Sequence, residues 1–78
     1  MKKIYVLSSD ADKRSAFIKK FLKDIIDIDH NLIVESDEKF IPEDFYQVYV
    51  LLRDSHDLEW LNYYYDNLKA GINLITDF

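Results

Sequence analysis

Three carboxylates in this 78-residue chain stand where metal chemistry could begin, because each follows closely on a short apolar run. Asp10 and Asp12 come after Tyr5-Val6-Leu7, and Asp54 comes after Tyr49-Val50-Leu51, the same three-residue word displaced by 44 positions. Converging carboxylates are hard oxygen donors of the kind that hold Mg²⁺. Ser8 and Ser9 would join them from one side, and Arg53, His56 and Asp57 from the other. A simpler reading makes Asp10 and Asp54 helix caps and Asp57 an acid in a first helical turn, and we prefer it. Other chemistries lack their residues. There is no cysteine for a thiolate, a metal site or a disulfide. The one glycine, Gly71, cannot make a phosphate loop, and His30 and His56 lack metal-ligand spacing. None of the serines sits in a nucleophile-elbow sequence. The expectation is a protein without catalytic residues and without a cofactor.

The elements that would carry these residues can be read from periodicity. Lys3–Ser8 is β-branched and aromatic and reads as a strand. Ser9 or Asp10 then caps a helix from Ala11 to Asp27, with Asp12 completing a capping box. Its apolar stripe is Phe17, Ile18, Phe21, Leu22, Ile25 and Ile28. Arg14 falls on that stripe, so it either snorkels past the first turn or pairs with a carboxylate at the sheet's end. Asp29-His30-Asn31 is a turn, and Leu32–Ser36 is a second strand. Asp37–Phe45 reads as a connection in which Pro42 could open a helical turn. The run Gln47–Asp54 contains the third strand. Asp54 or Ser55 then caps a second helix that continues to Ala70 and is closed by Gly71, before a fourth strand over Asn73–Phe78. Asn31-Leu32-Ile33 recurs as Asn73-Leu74-Ile75, so each half reads as strand, helix, strand.

The chain is therefore one α/β domain, residues 1–78, with the order β-α-β-β-α-β. Two architectures fit: a doubly wound parallel sheet in the order 2-1-3-4, and a ferredoxin-like split βαβ. The first and third strands are apolar at both odd and even positions, which calls for cover on both faces. That favours the doubly wound sheet. A connection of about nine residues after strand two is short for a parallel crossover.

The opening Ile4-Tyr-Val-Leu-Ser-Ser-Asp-Ala-Asp-Lys13 resembles the first βα unit of TIR domains. Val48-Tyr-Val-Leu-Leu-Arg-Asp-Ser55, followed by Trp60, is similar to their third strand and the tryptophan after it. The resemblance implies a reduced TIR-like or flavodoxin-like domain. In nucleotide-cleaving members a catalytic glutamate follows that tryptophan by four positions, where this chain has Tyr64. Asp10, Asp12 and Asp54 also loosely resemble the acidic site of response-regulator receivers. On either likeness the chain would be a signalling domain binding Mg²⁺ or a nucleotide at the carboxyl ends of strands one and three.

Charge points elsewhere. Residues 1–23 hold seven basic side chains against two acids, whereas residues 24–78 hold three against thirteen, for a net −5. Such an acidic balance argues against nucleic acid as a direct ligand and for a basic protein partner. Leu58, Leu61, Tyr65 and Leu68 plot to one side of the second helix, taken as its core side. Tyr63 then points outward with Trp60 on the flank, beside Glu59 and Asp66, a pattern matching the aromatic enrichment of interfaces. Asp57 belongs to the same helix, and Glu35, Asp37, Glu38, Glu43 and Asp44 form a second acidic group. The functional expectation is a non-enzymatic module that mimics DNA charge and blocks a basic nucleic-acid-binding protein. By type it resembles small acidic inhibitors encoded by phages and mobile elements, acting in the cytoplasm of the host cell. No apolar run is long enough for a signal peptide or a membrane span. Strands two and four would be open edges through which a homodimer could form.

Overall fold

In the computed structural model, residues 2–23 and 32–76 are described. The expected end of the first helix, with Ile25 and Ile28, the turn at Asp29-His30-Asn31 and the residues Asp77-Phe78 lie outside them. Four strands, β1 (Lys3–Leu7), β2 (Leu32–Ser36), β3 (Gln47–Leu51) and β4 (Ile72–Ile75), form one sheet in the order β2-β1-β3-β4. All three pairings are parallel, so the fold is the doubly wound α/β sheet and the split βαβ alternative is overturned.

The two middle strands share one burial pattern, and alternation along each sends side chains to two separate cores. Ile4, Val6 and Leu51 pack with Phe17 and Leu22 of the first helix. Leu7, Val48, Val50 and Leu52 pack with Trp60 and Tyr64 of the second. The two helices therefore cover opposite faces. The register makes sense of the repeated Tyr-Val-Leu word. Tyr5 pairs with Val48 rather than Tyr49, so equivalent residues of the two halves face opposite ways. Tyr5 meets Phe40 edge-on on one face, while Tyr49 packs on Phe17 on the other.

The first helix begins as α1 (Ala11–Phe17) and continues as a π-helical segment, Ile18–Leu22. Asp10 caps it, its Oδ1 accepting from the amides of Asp12 (3.0 Å) and Lys13 (3.1 Å); Ser9 takes no part in that cap. A π-turn brings residues five apart into line. Hence Phe17 and Leu22 are both buried, while Phe21, expected on the stripe, is 46% exposed.

The connection from β2 to β3 is irregular across 37–46 and forms no helical turn at Pro42. It succeeds as a short crossover because it lies directly on the sheet: Phe40, Ile41 and Phe45 pack against the core that contains Leu7 and Val50. A buried loop needs partners for its backbone polar groups. The Tyr64 hydroxyl supplies two, accepting from the Phe40 amide (3.1 Å) and donating to the Phe40 carbonyl (2.9 Å).

The second helix, α2, spans only Leu58–Tyr65, with Asp57 at its N-cap position and Asp66 at its C-cap. Asp54 is not the cap; it closes a turn by accepting from the His56 amide at 2.7 Å. Gly71 lies beyond the helix and does not terminate it. Its φ of +90° turns the chain into β4, and an added Cβ would stand 3.1 Å from the Phe45 ring.

Burial pushes the Tyr64 hydroxyl up to about 12 from its ordinary 10, against the opposing effect of its hydrogen bond with Phe40. An acid whose pKa is raised by folding contributes stability below its unfolded pKa and loses it as pH climbs to the folded one. Tyr64→Phe should cost about 1–3 kcal/mol in urea unfolding at neutral pH, because the Phe40 amide and carbonyl lose their partner. Between pH 10 and 12 the wild type should then lose roughly 2–3 kcal/mol relative to the variant. A gap that stays constant over that window would contradict a buried hydroxyl.

Candidate functional site

Ligands of open α/β sheets lie outside the carboxyl ends of the strands where the order reverses, here between β1 and β3. At these strand ends the protein's own cationic side chains hold backbone carbonyls. Lys13, from the first turn of α1, donates its ammonium to the carbonyls of Leu52 (2.9 Å) and Arg53 (2.5 Å) at the end of β3. Arg14 donates from Nη1 to the carbonyl of Ser8 at the end of β1, and from Nε to Glu35 of β2 (3.3 Å). The pairing at the sheet's end, rather than snorkelling, accounts for Arg14 on the apolar stripe. Ser8 is fully buried, its hydroxyl accepting from the Asp10 amide.

The three candidate Mg²⁺ carboxylates have separate places in the structure. Asp10 caps α1, Asp54 holds the turn before α2, and Asp12 is exposed on the helix. Among the described residues no three of His, Asp or Glu are grouped as a metal site. Asp57 is the other surprise. It is 3% exposed and faces inward, accepting from the Arg53 amide (3.1 Å) and from the Arg53 guanidinium (3.4 Å). It therefore cannot serve as a surface acid.

The aromatic surface needs correcting too. Trp60 is only 5% exposed and stacks with Tyr64, their centroids 6.1 Å apart. Tyr63 is half-buried, edge-on to Tyr64 at 5.0 Å. The helix is rotated from the expected phase: Trp60 and Tyr64, one turn apart, point to the sheet. Leu58 and Tyr65, assigned to the core, stand 57% and 68% exposed, and Leu68 just beyond the helix is exposed as well. Only Leu61 of that set packs partly on the core. Aromatic and leucine residues occur almost all round this helix, so its pattern does not select a face.

The acidic side chains divide by face. Glu35 turns toward α1, where Arg14 neutralises it. Asp37, Glu38, Glu43 and Asp44 on the crossover are all exposed, and Asp44 only approaches Lys3, at 3.9 Å. Glu59 and Asp66 are exposed on α2, where Lys39 reaches Glu59 at 2.5 Å and lies over the Trp60 ring at 5.5 Å. The crossover and α2 lie on one side of the sheet, so that side is acidic. Among the described residues the opposite side carries Lys19, Lys20 and Lys23 on the helix exterior, with Asp12 exposed in the first turn.

Asp57→Ala should lower stability by about 1–3 kcal/mol in chemical denaturation, since the buried end of the Arg53 amide loses its acceptor. Calorimetric titration with Mg²⁺ at millimolar metal should give no saturable heat. A saturable isotherm abolished by Asp54→Asn would restore the carboxylate site.

Among the described residues no helix is long and apolar enough to cross a membrane. No family model, curated protein or solved structure matches the chain.

Proposed function

We propose that this chain is a non-catalytic binding module whose acidic side engages a basic protein. One observation carries the reading: the exposed acids Asp37, Glu38, Glu43, Asp44, Glu59 and Asp66 belong to the two segments that cover the same face of a rigid sheet. The partner this charge suits best is a nucleic-acid-binding protein. Duplex DNA presents one negative charge per about 1.7 Å of its axis, and its binding releases condensed counterions. Carboxylates fixed on a packed crossover and a short helix imitate part of that array. The module would then act as an inhibitor that occupies a basic groove in place of DNA, in the manner of phage and mobile-element inhibitors.

The segregation of charge supports this reading over a signalling domain with a Mg²⁺ or nucleotide crevice. In the crevice, the cationic side chains of Lys13 and Arg14 are committed to backbone carbonyls and Glu35. On the acidic side, Asp37, Glu38 and Glu43 are open to solvent.

Affinity for the partner should fall steeply with salt, because released counterions drive the association. Proteins captured from lysate at low salt should be nucleic-acid-binding proteins, should elute at high salt, and should lose DNA binding when the module is added. The combined change Asp37→Asn, Glu38→Gln, Glu43→Gln and Asp44→Asn should weaken capture and flatten the salt dependence. Capture that is indifferent to salt and to those four changes would refute the electrostatic reading.

A further inference from the structure

The rotation of α2 leaves an apolar row on its outer surface. Leu58 and Tyr65 are seven residues apart, two helical turns, and stand one above the other. Leu61 lies between them with part of its side chain buried in the core, and exposed Leu68 prolongs the row past the helix end. Within the helix, the spacing of three and four residues from Leu58 to Leu61 to Tyr65 is that of the seam by which one helix receives another. Glu59 and Asp66 repeat the seven-residue spacing one position further on, so an acidic row runs beside the apolar one.

Two features argue for an external occupant. Leu58 and Tyr65 are each more than half exposed, on a short helix whose core side is already filled by Trp60 and Tyr64. Asp66 stands at the C-terminal end of α2, where the carbonyl dipoles disfavour an anion, and no basic side chain occupies the last turn. A charge placed against local stability is a mark of a functional surface. Charge also selects the occupant. A second copy of this chain would bring acidic row against acidic row on a molecule of net −5, which disfavours self-pairing. A basic helix would suit both rows, meeting Asp66 directly and Glu59 in competition with Lys39.

We infer that the outer face of α2 docks a basic amphipathic helix of the partner, its apolar side on Leu58, Leu61 and Tyr65 and its Lys or Arg side chains on Asp66 and, in place of Lys39, on Glu59. This inference rests on the binding reading above and specifies the structural class of what is bound.

The test uses two labelled peptides of identical Leu and Lys content, one arranged as an amphipathic helix and the other shuffled to destroy the period. Fluorescence anisotropy with the full chain should show the helical peptide binding about tenfold or more tightly. Leu58→Ser with Tyr65→Ser should abolish that preference while leaving a weaker, salt-dependent binding of both peptides. Both positions are exposed, so the fold should survive, as circular dichroism would show. Tyr65→Arg alone provides a second variant that repels the basic row and should also reduce the preference. Equal binding of the two peptides to wild type, with salt dependence retained, would overturn the docking of a helix but leave the acidic reading intact. Absence of binding by either peptide at low salt would overturn both. A dimer in sedimentation that the double serine variant dissociates would assign the row to a second copy and overturn the inference.

Discussion

The fold depends on covering a parallel sheet on both faces with very little chain. One face is covered by a helix in the ordinary way. The other must be shared between a ten-residue irregular crossover and an eight-residue helix, α2. Neither would hold its position alone: an isolated helix of that length is marginal in water, and a loop lying on a core brings unpaired backbone groups with it. The Tyr64 hydroxyl joins them, because its ring is part of the core and its oxygen satisfies both polar groups of Phe40. Trp60 stacked against it, Tyr63 at its edge and Lys39 reaching from the crossover to Glu59 add to the same seam. Gly71 completes the arrangement by allowing β4 to start close against Phe45.

Committing the large rings of α2 to this seam has a consequence at the surface. A helix with apolar residues on nearly every side cannot bury all of them against one sheet. Once Trp60 and Tyr64 are inside, Leu58 and Tyr65 are outside, next to Glu59 and Asp66. The feature that stabilises the crossover is thus also what creates the mixed apolar and acidic face. Lys13 and Arg14 do the corresponding work at the end of the sheet, where cationic side chains take up strand-end carbonyls. Such groups would otherwise be free to meet a ligand. Open α/β sheets in general place ligands outside these strand ends; here Lys13 and Arg14 tie the same ends to the first helix.

Much of the architecture is written locally. Strands apolar on both faces, a capped helix after the first, and the recurrence of Tyr-Val-Leu suffice for a parallel sheet in the order 2-1-3-4, because only cover on both sides keeps such strands out of water. The exchange of faces between the halves came from the structure: a one-residue difference between repeat offset and pairing register turns equivalent side chains to opposite sides. Asp10 as a cap was legible for the same local reason, whereas Arg14 stood open between snorkelling and a strand-end carboxylate until Glu35, 21 residues away, was seen beside it. The acidic character of the later part of the chain follows from composition alone.

What composition and periodicity did not determine is which residues of α2 face inward and which acids face outward. Hydrophobic spacing admits the leucine row as core as readily as the aromatic one, since both recur at three- and four-residue steps. The decision went to Trp60 and Tyr64 because the crossover, remote in sequence, required a wide ring surface and a hydroxyl at one place. Lys13 was missed as the tie between the first helix and the end of β3 because its two acceptors lie 39 and 40 residues away. Asp57 faces inward because it accepts from both the amide and the guanidinium of Arg53, four residues earlier, a local contact that helical phase does not register. Local sequence determined the elements, their order and the sign of the charge. The rotation of α2 was decided by a hydrogen-bond partner, the Phe40 backbone, that only tertiary contact brings within reach of Tyr64.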